Sequence, residues 1–551
     1  MIHTFAARLN MFSRLFFVLL LAGLAGLAGC GGGGGSSLLD DRTGNNNNNN
    51  TNTAWEPGVF KPASDFESRC AAPRSGTDPY TGNSYPDRSG KTLDENNWLR
   101  SWSNETYLWY DEIIDLDPAE FDDPITYFSL LKTNDLTPSG APKDQFHFTY
   151  DTAEWNALSG SGVSAGYGVT WAVINGVPPR EIRVAYTEPN TPATAEGVEL
   201  ARGTLVLEVN GVDAVEDNTG AGVDTLNQGL FPSDTGQSVT LVVQDIGSDE
   251  SRTVTLTSTT ITSTPVQYVK TLESESGEQV GYLLFNDHIA TSEELLIDAI
   301  DELSSAGATQ LVLDLRYNGG GLLAIASQLA YMLAGDTPTA DQVFYDISFN
   351  DKHPDRDPVT GQSLTPIPFY DRTLGFSTAT GQPLPSLNLT RVYILTGANT
   401  CSASEAIING LRGVDVEVIQ IGTSTCGKPY GFYPTDNCGT TYFTVQFKGD
   451  NAKGFGEYSD GFTPGSNPAD AASLPGCMVA DDYLHALGDP AEARLAAALT
   501  YHETGECPAV SGTGMQKGLQ KQARPMAEGY VHKPAALQNT ILLPPDTGAE
   551  Q

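Results

Sequence analysis

Leu311-Val312-Leu313-Asp314-Leu315-Arg316-Tyr317-Asn318-Gly319-Gly320-Gly321 is the stretch that most restricts what this chain can become. An apolar run of strand length that ends in consecutive glycines reads as a buried strand entering a sharp turn, its backbone open to close approach. Strands and helices alternate around it. Residues 281–285 read as a strand. Thr291-Ser292-Glu293-Glu294 reads as a capping box before a helix that places Leu295, Leu296, Ala299, Ile300 and Leu303 on one face. A strand at 310–314, the glycine turn and a helix at about 322–333 follow. After a long irregular insertion (about 335–388) come a strand at 391–395, a helix from Ser402 and a strand at 416–421. Such alternation predicts a mostly parallel sheet with right-handed crossovers.

The chemistry concentrates in Thr400-Cys401-Ser402-Ala403-Ser404-Glu405 and Thr425-Cys426-Gly427-Lys428. Taken singly, a serine at a helix start is a cap and a lysine on a turn is a surface charge. Together with the glycine turn they read as nucleophile, amine base and exposed backbone N–H groups, the parts of a Ser/Lys hydrolase. A serine hydroxyl is a weak nucleophile until a base takes its proton, so Lys428 must be neutral, and burial is what depresses a lysine. The residues around it, Cys426, Gly427, Pro429, Tyr430, Gly431 and Phe432, supply an uncharged setting. The N–H groups of Gly320 and Ala403 are the oxyanion-hole candidates. Glu405, on the same helix face as Ser402, orients one of the pair or serves as a favourable charge at the helix N-terminus. Asp314 and Arg316 read as ion-paired buttresses of the turn.

These three motifs, in this order, resemble those of the tail-specific, or C-terminal processing, serine peptidases, over about residues 92–505. The resemblance implies an α/β crotonase-like (ClpP/crotonase-type) protease core at 265–507. A small helical N-terminal subdomain (92–158) and an inserted β-rich PDZ domain (159–264) would precede it. It makes Ser402 the nucleophile and leaves Ser404 as a helix cap. In the β-rich part, Gly166-Tyr167-Gly168-Val169 is the expected loop for a peptide carboxylate, and Asn210-Gly211 marks a hairpin. The implied substrates are proteins or peptides bound through their C-termini, without metal or cofactor. Two positions depart from the family pattern. Gly413 stands where some relatives carry an acid, and Phe432 where others carry glutamine, so a Ser402/Lys428 dyad is expected. His288, at a strand end, reads as a satisfied core histidine rather than a base. The competing reading is a catalytically weak, peptide-binding relative.

A formal net charge of −38 argues against nucleic acid or an anionic membrane surface as partner. Arg8 and Arg14 precede an apolar run at 15–27 that ends in Leu27-Ala28-Gly29-Cys30, similar to a lipobox. Residues 1–29 are therefore expected to be a lipoprotein signal peptide. Cys30 would be the lipidated residue and the membrane anchor of a bacterial cell-envelope protein, with Gly31 favouring the outer membrane or the periplasmic face. Residues 30–91 read as a flexible tether and 508–551 as a disordered tail. Six further cysteines point to disulfides. Cys426 and Cys438, flanking the lysine segment, are the chosen pair, since a hairpin would bring them within bridging distance.

Overall fold

Trp98 and Trp102, one turn apart, anchor the first helix, α1 (Thr92–Thr106), their rings stacked at 5.1 Å. They bury against Tyr127 and Phe128 of α2 (Pro124–Leu130) and against Tyr442. Asp123 starts α2, its carboxylate accepting from the Ile125 and Thr126 N–H groups. Trp109 lies beyond α1. The computed structural model describes residues 55–508, apart from 466, 468 and 469, and the backbone of 541 and 542. The signal segment and Cys30 fall outside these residues. The tether expected at 30–91 is corrected from Trp55 onward. Arg100 donates to the Glu56 and Val59 carbonyls, Arg69–Cys70 pairs with Arg88–Ser89, and Cys70 is joined to Cys438. This mostly polar stretch is held by specific hydrogen bonds, one disulfide and the single buried ring of Phe66, none of which repeats at a regular spacing, which is why periodicity did not reveal it. Nor do residues 92–158 stand apart, for Phe148–Asp151 pairs with Thr440–Phe443 before α3 (Thr152–Ser161).

An antiparallel sheet follows, made of β1 (Val169–Asn175), β2 (Glu181–Thr187), β3 (Leu205–Val209), β4 (Ser238–Gln244) and β5 (Ser251–Thr257), in the order β5-β4-β3-β2-β1. Helix α4 (Gly220–Leu230) packs on it around Val206, Leu226, Leu230, Val239 and Leu241. The hairpin signal is realised. Asn210 and Gly211 both take positive φ, 50° and 80°, and Val209 pairs with Val212. β1 is an edge strand of this sheet. The sheet docks through Tyr186, buried among core residues, and through Arg202, which meets Asp481 at 2.8 Å.

The core sheet contains β6 (Val266–Glu273), β7 (Gln279–Phe285) and β8 (Gln310–Asp314). After the short β9 (Gly321–Leu322) it adds β10 (Arg391–Thr396) and β11 (Glu417–Gly422), and beyond β12 (Tyr430–Gly431) it ends in β13 (Gly476–Met478). The order is β6-β7-β8-β10-β11-β13, with β6 antiparallel and the rest parallel. Strand alternation divides the interior in two. Leu283, Phe285, Leu311, Leu313 and Ile394 face α5 (Ser292–Ser305), α6 (Leu323–Ala334) and α7 (Ala403–Gly413). Tyr282, Val312, Tyr393, Leu395 and Ile421 face α8 (Ala493–Thr504) and the inserted sheet. The expected capping box at α5 is not formed, for Thr291 makes no side-chain cap. Glu293 instead accepts from the N–H groups of Leu374, Phe376 and Ser377, and so pins the 335–388 insertion. The tail expectation is corrected at two residues. Ile541–Leu542 form a strand, β14, beside β9.

Candidate active site

Three neighbouring parallel strands each deliver one part of the site at their C-terminal ends. Gly320, Ser402 and Lys428 each stand six residues beyond the strand ends at Asp314, Thr396 and Gly422. A crevice outside the carboxyl ends of parallel strands is the usual ligand position in open α/β sheets. Ser402 is the residue before α7, at φ 61° and ψ −116°, a conformation that a side chain rarely adopts. The main chain around it is fixed by Asn318, whose carbonyl accepts from the Cys401 N–H at 3.1 Å and from the Ser404 hydroxyl at 3.0 Å. Ser404 is thus a tie between helix and glycine turn, not the cap expected of it.

Glu405 is the hub. Its Oε2 accepts from the N–H groups of Ser402 at 2.9 Å and Lys428 at 2.8 Å, which places both backbones against a single oxygen. Its Oε1 accepts from the Gly427 N–H at 2.9 Å and the Thr425 hydroxyl at 2.5 Å. Burial pushes its carboxyl above the usual range, against the pull of these donors. Glu405 therefore positions Ser402 and Lys428 through their main chains. The Cys401–Cys426 disulfide, with Cα atoms 5.2 Å apart, ties the same two segments covalently. This corrects the expected Cys426–Cys438 pair. Cys438 bonds Cys70 and Cys477 bonds Cys507. Pairings that span 368 residues follow from packing, which sequence spacing does not convey.

Lys428 has no exposed surface, and its amine has no hydrogen-bond partner among the described residues. Nζ lies 4.0 Å from the ring centroid of Phe432 and 4.9 Å from that of Phe146. Burial drives its pKa well below the ordinary lysine value, although Asp144 and Glu405 pull upward. Phe432, standing where some relatives carry glutamine, is thus part of the apolar lining. Asp144 itself is held by the Tyr107 hydroxyl at 2.7 Å and the Phe146 N–H at 2.9 Å. Ser402 Oγ is likewise buried, with no hydrogen-bond partner among the described residues, so a hydroxyl and an amine whose charge burial disfavours sit on stapled segments.

The two residues expected to form the oxyanion hole, Gly320 and Ala403, lie side by side but differ in what their N–H groups offer. Ala403 is the first residue of α7, so no carbonyl of its own helix can take its N–H. Gly320 takes φ 99°, and a Cβ there would lie 2.8 Å from Ser402 Cβ and 2.9 Å from Ala403 N. Its N–H, however, donates to Asn318 Oδ1 at 2.9 Å. Gly320 therefore contributes the open space before the Ala403 N–H, not a donor. Asn318 Nδ2 donates to the Phe285 carbonyl at 3.0 Å, which fixes the amide orientation. The His288 Nδ1, 3.0 Å from Asn318 Oδ1, then carries the proton and steadies the turn. Arg316 braces the strand end through Asp314 at 2.9 Å, Asp481 at 2.7 Å and Glu492 at 2.8 Å. Asn318, Asp144 and Phe146 went unread in the sequence. Asn318 precedes the glycines and was within reach of motif reasoning, whereas Asp144 and Phe146 arrive from far upstream with no motif to announce them.

The proposed carboxylate loop lies apart from these residues in sequence and leads into β1. The carbonyls of Tyr167 and Gly168 accept from the Ala193 and Glu188 N–H groups, both at about 2.9 Å or less. Tyr167 is buried, Gly168 has φ 77°, and Gly166 and Val169 border the loop as strand residues.

Residues 279–433 match the model for peptidase family S41. A carboxyl-terminal-processing protease of Picosynechococcus sp. (strain ATCC 27264 / PCC 7002 / PR-6) is 33% identical over 180 residues, covering 31% of this chain and 39% of that protein. The match thus spans less than half the length of this curated relative. A crystal structure from Bacteroides fragilis NCTC 9343, described as an S41 protease, shares the fold with a TM-score of 0.53 at 23% identity, over 77% of this chain and 98% of that one. The glycine turn, the serine helix and the lysine segment all lie inside the stretch that is similar to peptidase family S41.

Proposed function

We propose that the chain is a serine endopeptidase in which Ser402 attacks and Lys428 is the base, on a crotonase-like core. The observation that carries this reading is the Lys428 amine, fully buried between two aromatic rings and without a hydrogen-bond partner among the described residues. Burial disfavours the charged form of such an amine and so favours the neutral form that can accept a proton. Ser402 Oγ adds to the scissile carbonyl carbon as its proton passes to Lys428 Nζ. The Ala403 N–H faces the oxygen that gains charge. Lys428 then returns the proton to the leaving amine, and water, deprotonated by the same amine, hydrolyses the acyl-Ser402 ester. Glu405 and Asn318 position these groups without touching the reacting atoms.

Substrate choice belongs, in this reading, to the inserted sheet as a PDZ domain. β1 is an edge strand directly after the Gly166–Val169 loop, so a peptide C-terminus can add to it by backbone pairing. Proteins with accessible C-terminal tails are then the substrates, and lipid on Cys30 holds the enzyme at the cell envelope. A fluorophosphonate probe tests the core of the proposal. It should label the wild type and spare Ser402→Ala, and equal labelling of both, or of neither, contradicts it.

A further inference from the structure

Strand β14 (Ile541–Leu542) pairs in parallel with β9, in the register Gly321↔Ile541 and Leu322↔Leu542. β9 begins at the residue after Gly320, and β14 also neighbours β12, which begins two residues after Lys428. Ile541 and Leu542 therefore lie between the glycine turn and the lysine segment, the two walls between which a scissile peptide must lie. The other side of β9 is taken, since Gly321 bridges His288 and the Leu322 N–H donates to the His288 carbonyl at 2.7 Å. β14 thus occupies the edge that an incoming strand would use. In this state Ser402 and Lys428 expose no surface. The sequence suits the placement, because Ile541-Leu542-Leu543 is the run of three large aliphatics in the C-terminal tail, and Pro544-Pro545 directly after it cannot donate to a ladder.

We propose that the strand Ile541–Leu542 is a built-in, substrate-like occupant of the cleft. It lies along β9 and must leave before another polypeptide reaches Ser402. The inference rests on the peptidase reading for its kinetic consequence but not for the docking itself. Backbone pairing along β9 is indifferent to side chains, so the cleft accepts an extended polypeptide, with apolar residues opposite Gly321 and Leu322.

The test compares the full chain, a chain ending at Asn539, and the variant Ile541→Asp/Leu542→Asp. Truncation and the double variant should each speed fluorophosphonate labelling of Ser402 several-fold and lower KM for a peptide substrate, with kcat little changed. A synthetic peptide of residues 537–546 should then inhibit the truncated chain competitively. Equal labelling rates and equal KM in all three proteins overturn the proposal. Hydrogen exchange on the inactive Ser402→Ala chain separates the two claims. Amides at Ile541 and Leu542 should exchange more slowly than in the free peptide, and equal rates refute docking whatever the activity. If no protein reacts with the probe while those amides are protected, the peptidase reading fails and the docked strand stands.

Discussion

Lys428 is where function and stability pull in opposite directions. Burial disfavours its ammonium, so folding expels a proton at every pH between its depressed folded value and the ordinary lysine value of 10.5. Stability from this group is lowest below that window and rises with pH across it. Lys428→Met, close in volume and uncharged, should therefore be more stable than the wild type at pH 7, with an advantage that shrinks as pH approaches 10.5. Urea unfolding at both pH values checks the sign. Gly320→Ala places a methyl 2.8 Å from Ser402 Cβ at φ 99°. It should cost about 1–3 kcal/mol in strain and lower kcat more than KM, read by steady-state kinetics and thermal unfolding. At this scale the sequence was legible in grouping Ser402, Glu405 and Lys428, which the structure brings together. It was illegible where one atom's partner decides the role, as with the Gly320 N–H, which Asn318 Oδ1 already holds.

Among elements, the helix start and the lysine segment are held together twice, by the Glu405 carboxylate and by Cys401–Cys426. The disulfide closes a separation of 25 residues, which corresponds to about 3.5 kcal/mol by loop entropy. The variant Cys401→Ser/Cys426→Ser should lose about that much and show a lower kcat with little change in KM, because Glu405 still aligns the backbones, though less tightly. Calorimetry and kinetics on the same preparation measure both effects. Core strands and helices were readable from apolar runs bounded by glycine and polar residues, often within a residue or two. Residues 55–91 were not, because their order comes from Cys70, Arg100 and the lone buried Phe66 meeting partners elsewhere, and none of these contacts leaves a periodic trace.

Across the whole molecule, Asp481 joins the inserted sheet to the strand end that carries the site, meeting Arg202 at 2.8 Å and Arg316 at 2.7 Å. Burial opposes its charge, yet Arg202, Arg494 and Arg316 hold its carboxyl well below the usual range. Glu492 is lowered too, chiefly by Arg316 acting against burial. Both groups stabilise the fold above ordinary carboxylate pKa values, and that contribution is lost as pH falls through their depressed folded values. Asp481→Ala should cost about 3–5 kcal/mol by leaving two guanidinium groups short of a partner, and it should flatten the acid limb of stability against pH. The most direct test of the central claim is the pH profile of kcat/KM for peptide cleavage in the wild type, Lys428→Arg, Lys428→Ala and His288→Ala. The wild-type profile should rise with loss of one proton from a group well below the ordinary lysine range. Both lysine variants should lose nearly all activity, since a guanidinium stays protonated, while His288→Ala keeps the rising limb. Efficient cleavage by Lys428→Ala with the same limb, together with an inactive His288→Ala, would contradict the Ser402/Lys428 mechanism.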